Sequence, residues 1–233
     1  ISYNKLMFYF TGTRKPDFSK IEKINYNEYW KSRGFSINKK LKEREEILLH
    51  YIPKGSKVID IGCGNSLLPI ALKNKGVYIE VADISDIVLK GYASHNIKTN
   101  SINLEDLKVN LLKTQYDYII MSEVLEHITD PENVIEKLKP FTKYFALTIP
   151  NSAFYRYRLH LMFVGRFFTQ WVHHPSEHVR YWSHSDFIDW LKARNLKLIH
   201  TESSNGFSFF GIPFHKIWPN LFGHQICYIA EFI

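Results

Sequence analysis

The residues best suited to chemistry form the cluster Glu123-x-x-Glu126-His127, directly after the apolar run Tyr116 to Met121. A strand tip that feeds a helix brings such side chains toward one point. Two carboxylates and an imidazole are ligands for a divalent cation, and an imidazole beside a carboxylate is equally a general base. More imidazole lies in His173-His174-Pro175-Ser176-Glu177-His178, shortly before Trp182. A second stretch, Val58-Ile59-Asp60-Ile61-Gly62-Cys63-Gly64-Asn65-Ser66, reads as a buried strand, a tight turn and a helix start. Gly62 and Gly64 permit positive φ and close approach of backbone to ligand, and the helix beyond offers free N–H groups. That combination predicts a nucleotide-type pocket.

The elements that position these groups follow from periodicity. After the first strand, Val77 to Asp83, Ile97 to Ile102, Tyr116 to Met121, Lys143 to Ile149, Leu196 to Glu202 and Gln225 to Ile233 read as strands. A helix is expected over Asn38 to Tyr51, with its charged run Lys39 to Glu46 as a solvated face. Ser66 should cap the next helix, placing Pro69 at its third position and Leu67, Leu68, Ala71 and Leu72 on one face. Ser85 should cap a helix whose Val88, Leu89 and Tyr92 face inward. Asp130-Pro131-Glu132 opens another, and Ser183 with Asp186 forms a capping box ahead of Phe187, Trp190 and Leu191. Strands alternating with helices predict an α/β, doubly wound parallel sheet with ligands at the carboxyl ends of its strands.

The dinucleotide fingerprint fails because Leu67 stands where its third glycine belongs. The acid two residues before Gly-x-Gly instead resembles motif I of the class I S-adenosylmethionine (SAM) methyltransferases, carried here by Asp60, Gly62 and Gly64. The resemblance implies a Rossmann-like, seven-stranded sheet and SAM as cofactor. Asp83, ending the second strand, is then the acceptor for the ribose hydroxyls. Ile84 would pack on the adenine or in the core, Asn103 and Leu104 would sit by the adenine amino group, and Ser122 would close the fourth strand at the cofactor. Glu-x-x-Glu-His followed by His-Pro-x-x-His-x-x-x-Trp resembles the metal site of the small-RNA 3′-terminal 2′-O-methyltransferases. By that likeness Glu123, Glu126, His127 and His178 would hold Mn²⁺, Mg²⁺, Zn²⁺ or Fe²⁺, with Glu126 and His127 catalytic. The first part alone also resembles ubiquinone-biosynthesis O-methyltransferases, and without a metal His127 becomes the general base. Residues from about 55 to 200 resemble the MetW-like branch of the family. Pro219-Asn220-Leu221-Phe222-Gly223-His224-Gln225 is similar to relatives associated with surface-polysaccharide biosynthesis.

With 233 residues, 45% of them hydrophobic, the chain can bury a full core. It is expected to comprise an N-terminal arm and cap helix (1–52) and a methyltransferase domain (53–233) with an acceptor-site insertion at about 151–182. Cys63 and Cys227 suggest no disulfide framework, and no apolar run reaches the length of a membrane span, so a cytoplasmic location is expected. A net charge of +7 favours anionic partners. In the insertion, Arg156, Arg158 and Arg166, followed by His173, His174 and Arg180, are the expected contacts for an anionic acceptor. Its apolar helix reads as a packed lid, or else as an interfacial helix making peripheral contact with a membrane. The expected activity is SAM-dependent O-methylation of a small anionic acceptor, a sugar, nucleotide-linked, phosphoryl or phosphoramidate group for a surface polysaccharide. The alternatives are an RNA 2′-O-methyltransferase, disfavoured because no RNA-binding module is recognisable, and a catalytically silent SAM-binding partner of MetW type. The oligomeric state has no signature in the sequence.

Overall fold

The computed structural model describes residues 19, 24–106, 112, 114–167 and 177–233. Its frame is a seven-stranded sheet of β1 (Lys57–Ile61), β2 (Tyr78–Asp83), β3 (Lys98–Ser101), β4 (Tyr116–Ser122), β5 (Thr142–Pro150), β6 (Leu196–Ser204) and β7 (Gln225–Phe232), in the order β3-β2-β1-β4-β5-β7-β6. The first five strands pair in parallel, while β7 runs antiparallel to both β5 and β6. The order reverses between β1 and β4, which opens a crevice beyond their carboxyl ends. The expected doubly wound α/β sheet is therefore present, with an antiparallel last strand.

Both faces of the sheet are covered, which explains why its central strands are almost uniformly apolar. Ile59 and Ile61 of β1 join Ile119, Met121, Phe145 and Phe187 in one core. Val58 faces the other way, with Val81, Ile120, Leu48, Leu72 and Tyr92. The helices are α1 (Tyr26–Ser32), α2 (Glu43–Tyr51), α3 (Leu68–Lys75), α4 (Asp86–Ala93), α5 (Pro131–Leu138), α6 (Tyr155–Val164), α7 (His184–Ala193) and two short turns, α8 (Phe214–Ile217) and α9 (Pro219–Phe222). Among the described residues no helix is long and apolar enough to cross a membrane.

Several local expectations hold and several need correction. Asp130 caps α5 by accepting from the Asn133 N–H, and Ser183 and Asp186 close their reciprocal box on α7. The helix expected from Asn38 begins only at Glu43. Residue 38 is held in loop form instead, its N–H donating to the Asn65 carbonyl and its amide exchanging hydrogen bonds with the Asn65 amide. Helix α3 starts at Leu68, so Pro69 takes its second position, where its missing N–H is still without cost. Ser66 nevertheless supplies a cap, its Oγ accepting from the Leu68 N–H. Ser85 occupies the cap position of α4, but its hydroxyl donates to Asn27 on α1 instead.

Candidate functional site

The carboxyl ends of β1, β2 and β4 border one cavity of about 410 Å³, a size typical of small-molecule sites. Its floor is the glycine turn. Gly62 has φ +74°, and a Cβ there would lie 2.6 Å from Val124 Cγ2, so both conformation and space demand glycine. Gly64 has φ +51°, and its N–H donates to Asp83 Oδ2 at 3.0 Å. The turn is clamped from outside by three further residues. Asn38 holds Asn65, the Tyr92 hydroxyl donates to the Ser66 carbonyl, and the Ser66 hydroxyl donates to Glu45 Oε1.

Two carboxylates face this turn. Asp60 is 1% exposed, and its Oδ1 has no hydrogen-bond partner among the described residues. Burial, reinforced by the charges of Glu45 and Asp83, pushes its carboxyl up to about 8. Asp83 accepts from the N–H groups of Gly64 and Ser85, one at each oxygen, which leaves each oxygen a further lone pair for a ligand hydroxyl. Burial raises its pKa and those backbone donors oppose the rise. Ile84, Asn103, Leu104 and Ser122 also line the cavity, so the structure gathers every sequence-predicted cofactor residue around it. Ile84 is 45% exposed, which excludes the core role and leaves its side chain at the cavity wall.

At the tip of β4 the chain turns abruptly. Glu123 takes φ +58°, a costly conformation for a non-glycine residue, and the 3₁₀ turn Leu125–His127 follows. His127 Nδ1 bonds the Glu177 carbonyl, which makes Nδ1 the protonated nitrogen and turns the Nε2 lone pair toward the cluster. That Nε2 lies 3.9 Å from Glu126 Oε1, and the His127 and His178 rings meet edge to face at 4.7 Å. The N–H groups of Val179 and Arg180 donate to the Glu126 carbonyl, which ties the His178 segment onto this turn. One ligand atom from each of Glu126, His127 and His178 lies within 4.8 Å of the others. Both Glu126 oxygens are buried without a hydrogen-bond partner among the described residues. Burial, with Glu123 adding to it, raises the Glu126 pKa far above the usual carboxylate range. Burial likewise lowers both histidines, His178 to about 3, so each ring is a neutral lone-pair donor at pH 7.

These features fit a divalent cation: neutral imidazoles and an unpartnered buried carboxylate are the donor set such an ion takes. Glu123, expected as a fourth ligand, is not within this group of three. Its carboxylate accepts from Gln225 Nε2 at 2.6 Å and from the Thr148 hydroxyl at 3.2 Å.

The arginines expected at an acceptor are elsewhere, and none of the four lines the cavity. Arg180 donates to the Thr129 carbonyl and pairs with Glu132. Arg158 donates to the carbonyls of Ala153 and Asn220, Arg156 to the Tyr155 hydroxyl, and Arg166 is exposed. His173 and His174 lie outside the described residues.

The cations that do line the cavity are Lys42 and Arg44, from the run read in sequence as solvent-facing. That reading is corrected: Glu45, in the same run, is 2% exposed and joins the Lys42 N–H to Ser66. Arg44 reaches Ser122 Oγ and Gln225 Oε1. The aromatic side of the cavity, Tyr26, Tyr29 and Trp30 of α1, falls in the N-terminal arm and cap helix, to which the sequence reading gives no cofactor role.

Comparison with known proteins agrees with this geometry. Residues 29–201 match the family model described as a methyltransferase domain. The ubiquinone biosynthesis O-methyltransferase of Coxiella burnetii is 27% identical over 154 residues, 63% of this chain and 65% of that protein, so the alignment spans just under two thirds of the relative. The protein of the same name from Xanthomonas axonopodis pv. citri is 24% identical over 74% of this chain and 77% of its own length. In fold, the chain is similar to magnesium protoporphyrin IX methyltransferase from Synechocystis PCC 6803 with bound SAH, at TM-score 0.59 and 14% identity over 89% and 98% of the two chains. A family match over residues 29–201, on a sheet of this strand order closed by this glycine turn, means that the chain belongs to the methyltransferase-domain family, the class I SAM-dependent methyltransferases.

Proposed function

We propose that the protein transfers the methyl group of SAM to a hydroxyl oxygen of a small acceptor. The observation that carries this reading is the opening of two sites into one cavity. The Asp60, Gly62, Gly64 and Asp83 strand tips suit a nucleoside, and His127 faces the same space. The relatives named as O-methyltransferases support oxygen as the receiving atom.

In this reading Asp83 accepts from the ribose hydroxyls, and Asp60 faces the positively charged end of the donor. The lining carries Glu45, Asp83, Glu105, Glu123 and Glu177 against Lys42 and Arg44, a balance that suits a sulfonium cation. Methyl transfer is an in-line displacement: the sulfur–carbon bond breaks as the oxygen–carbon bond forms, and the hydroxyl proton must leave. His127 Nε2 takes that proton, oriented by the Nδ1 bond to Glu177. Were a divalent cation held by Glu126, His127 and His178 instead, the Nε2 lone pair would be its ligand and not the base, and the cation would acidify a bound hydroxyl by Lewis-acid polarisation so that its proton passes to solvent. Lys42 and Arg44 receive an anionic group, whether the donor carboxylate or one on the acceptor.

The acceptor expected from sequence, an anionic precursor of a surface glycan, remains our candidate class. The Pro219 to Gln225 stretch that suggested it has structural work here: carbonyls of Pro219, Asn220 and Gly223 accept from the Asn151 amide. The test is release of S-adenosylhomocysteine across a panel of phenols, sugar nucleotides and phosphorylated sugars. An oxygen-methylated product supports the proposal; tight SAM binding with no turnover on any acceptor would instead make the chain a SAM-binding partner.

A further inference from the structure

We propose that the connection between β6 and β7 is a docking surface for an anionic lipid bilayer. Phe209 and Ile212 exchange backbone hydrogen bonds at 3.1 and 2.9 Å, closing a two-residue turn over Phe210 and Gly211. Both turn residues have positive φ, +47° and +76°, the mirror-image hairpin turn in which Asn-Gly is ordinary. A phenylalanine in that conformation is a steric outlier, and burial offers no return, because Phe210 is 89% exposed. Further along the same connection Ile217 is 69% exposed and Trp218 58%. Soluble surfaces rarely gather large apolar side chains in this way without something to cover them.

The patch is firmly mounted. Phe207, Phe214 and Phe222 pack ring to ring beneath it, and Trp218 sits edge-on to Phe222. Tyr155 of α6 touches both Phe207 and Phe222, which joins the turn to a helix whose Met162 and Phe163 are 65% and 76% exposed. Both segments leave the same end of the sheet, since β5 and β6 each run antiparallel to β7 and so point the same way.

Charge selects the occupant. Residues 203–224 contain no aspartate or glutamate, nor do residues 151–167, which carry Arg156, Arg158 and Arg166. Lys216 is already paired with Glu202. An acid-free aromatic surface with arginines alongside matches a bilayer interface, where Trp and Phe settle at headgroup depth and basic side chains meet anionic lipid. Lacking a helix long enough to span among the described residues, the contact would be peripheral.

The test is co-sedimentation with phosphatidylcholine vesicles, with and without phosphatidylglycerol. The full chain should bind the anionic vesicles, weakly bind the neutral ones, and be released by salt. Phe210→Asn keeps the turn, since Asn favours its conformation, and should lower vesicle partitioning several-fold. Adding Trp218→Ser should lower it at least tenfold, with SAM affinity by calorimetry unchanged as the check that the fold is intact. Failure of the wild-type chain to bind either vesicle overturns the proposal, as does full binding by the double variant. Light scattering that shows a dimer dissolved by Phe210→Asn, without lipid binding, would also overturn it and assign the patch to a second copy of the chain.

Discussion

Glu126 is the residue on which the chemical reading turns. A buried carboxyl with both oxygens unpartnered among the described residues is costly unless it remains protonated or meets a cation, and here it adjoins two neutral imidazoles. Glu126→Gln and His127→Ala should therefore lower kcat by about 10²- to 10⁴-fold, the range for a lost general base, while leaving SAM affinity within about twofold. Steady-state kinetics beside calorimetry reads that split; equal losses in both would place these residues at the donor. If the cluster holds a divalent ion, chelation should lower kcat and add-back of one metal restore it. Asp60 gives a separate prediction in pH. Its folded carboxyl is pushed up to about 8, above roughly 3.9 for an unfolded chain, so the folded state binds an extra proton between those values. Stability from this group is full below about pH 4 and is lost as pH rises toward 8. Asp60→Asn has no such proton to lose, so urea denaturation of the apo-protein should show its stability advantage over wild type growing from pH 5 to pH 8.

At the scale of elements, what was legible is what period and capping encode. Most strands announce themselves because an apolar run ends in turn residues, the polar β3 being marked only by the flanking Ile97 and Ile102, and Asp130 and Ser183 mark helix starts by side-chain chemistry that acts within one turn. The charged run Lys39 to Glu46 was opaque for an equally physical reason. A row of charges looks the same whether it meets water or a polar cavity, and only the packing of α2 on the glycine turn separates the two. Glu45 is the hinge of that packing, accepting from Lys42 N–H and Ser66 Oγ. Glu45→Ala should cost about 1–3 kcal/mol in denaturant unfolding, because two donors lose their acceptor and the helix loses a capping bond. It should also weaken SAM binding by loosening the turn. An unaltered midpoint would mean that α2 is held by its apolar face alone.

At the scale of the molecule, the sheet order decides where chemistry can occur. Reversal between β1 and β4 brings Asp60, Asp83 and the Glu126 turn, far apart in sequence, to one cavity. That convergence was foreseeable once the strands alternated with helices. The fates of the arginines were not. Whether Arg158 or Arg180 faces a ligand or a backbone carbonyl depends on which loop ends nearby, and periodicity carries no such information. The central claim is that a nucleoside cofactor sits at the strand tips with Asp83 on its ribose. It is tested most directly by calorimetric titration of S-adenosylhomocysteine into wild-type and Asp83→Ala protein. Loss of charge-assisted bonds to two hydroxyls, roughly 2–4 kcal/mol, predicts saturable one-site binding by wild type and affinity lower by about 30- to 1,000-fold in the variant. Equal affinity in a folded Asp83→Ala protein, or no binding by wild type, would contradict it.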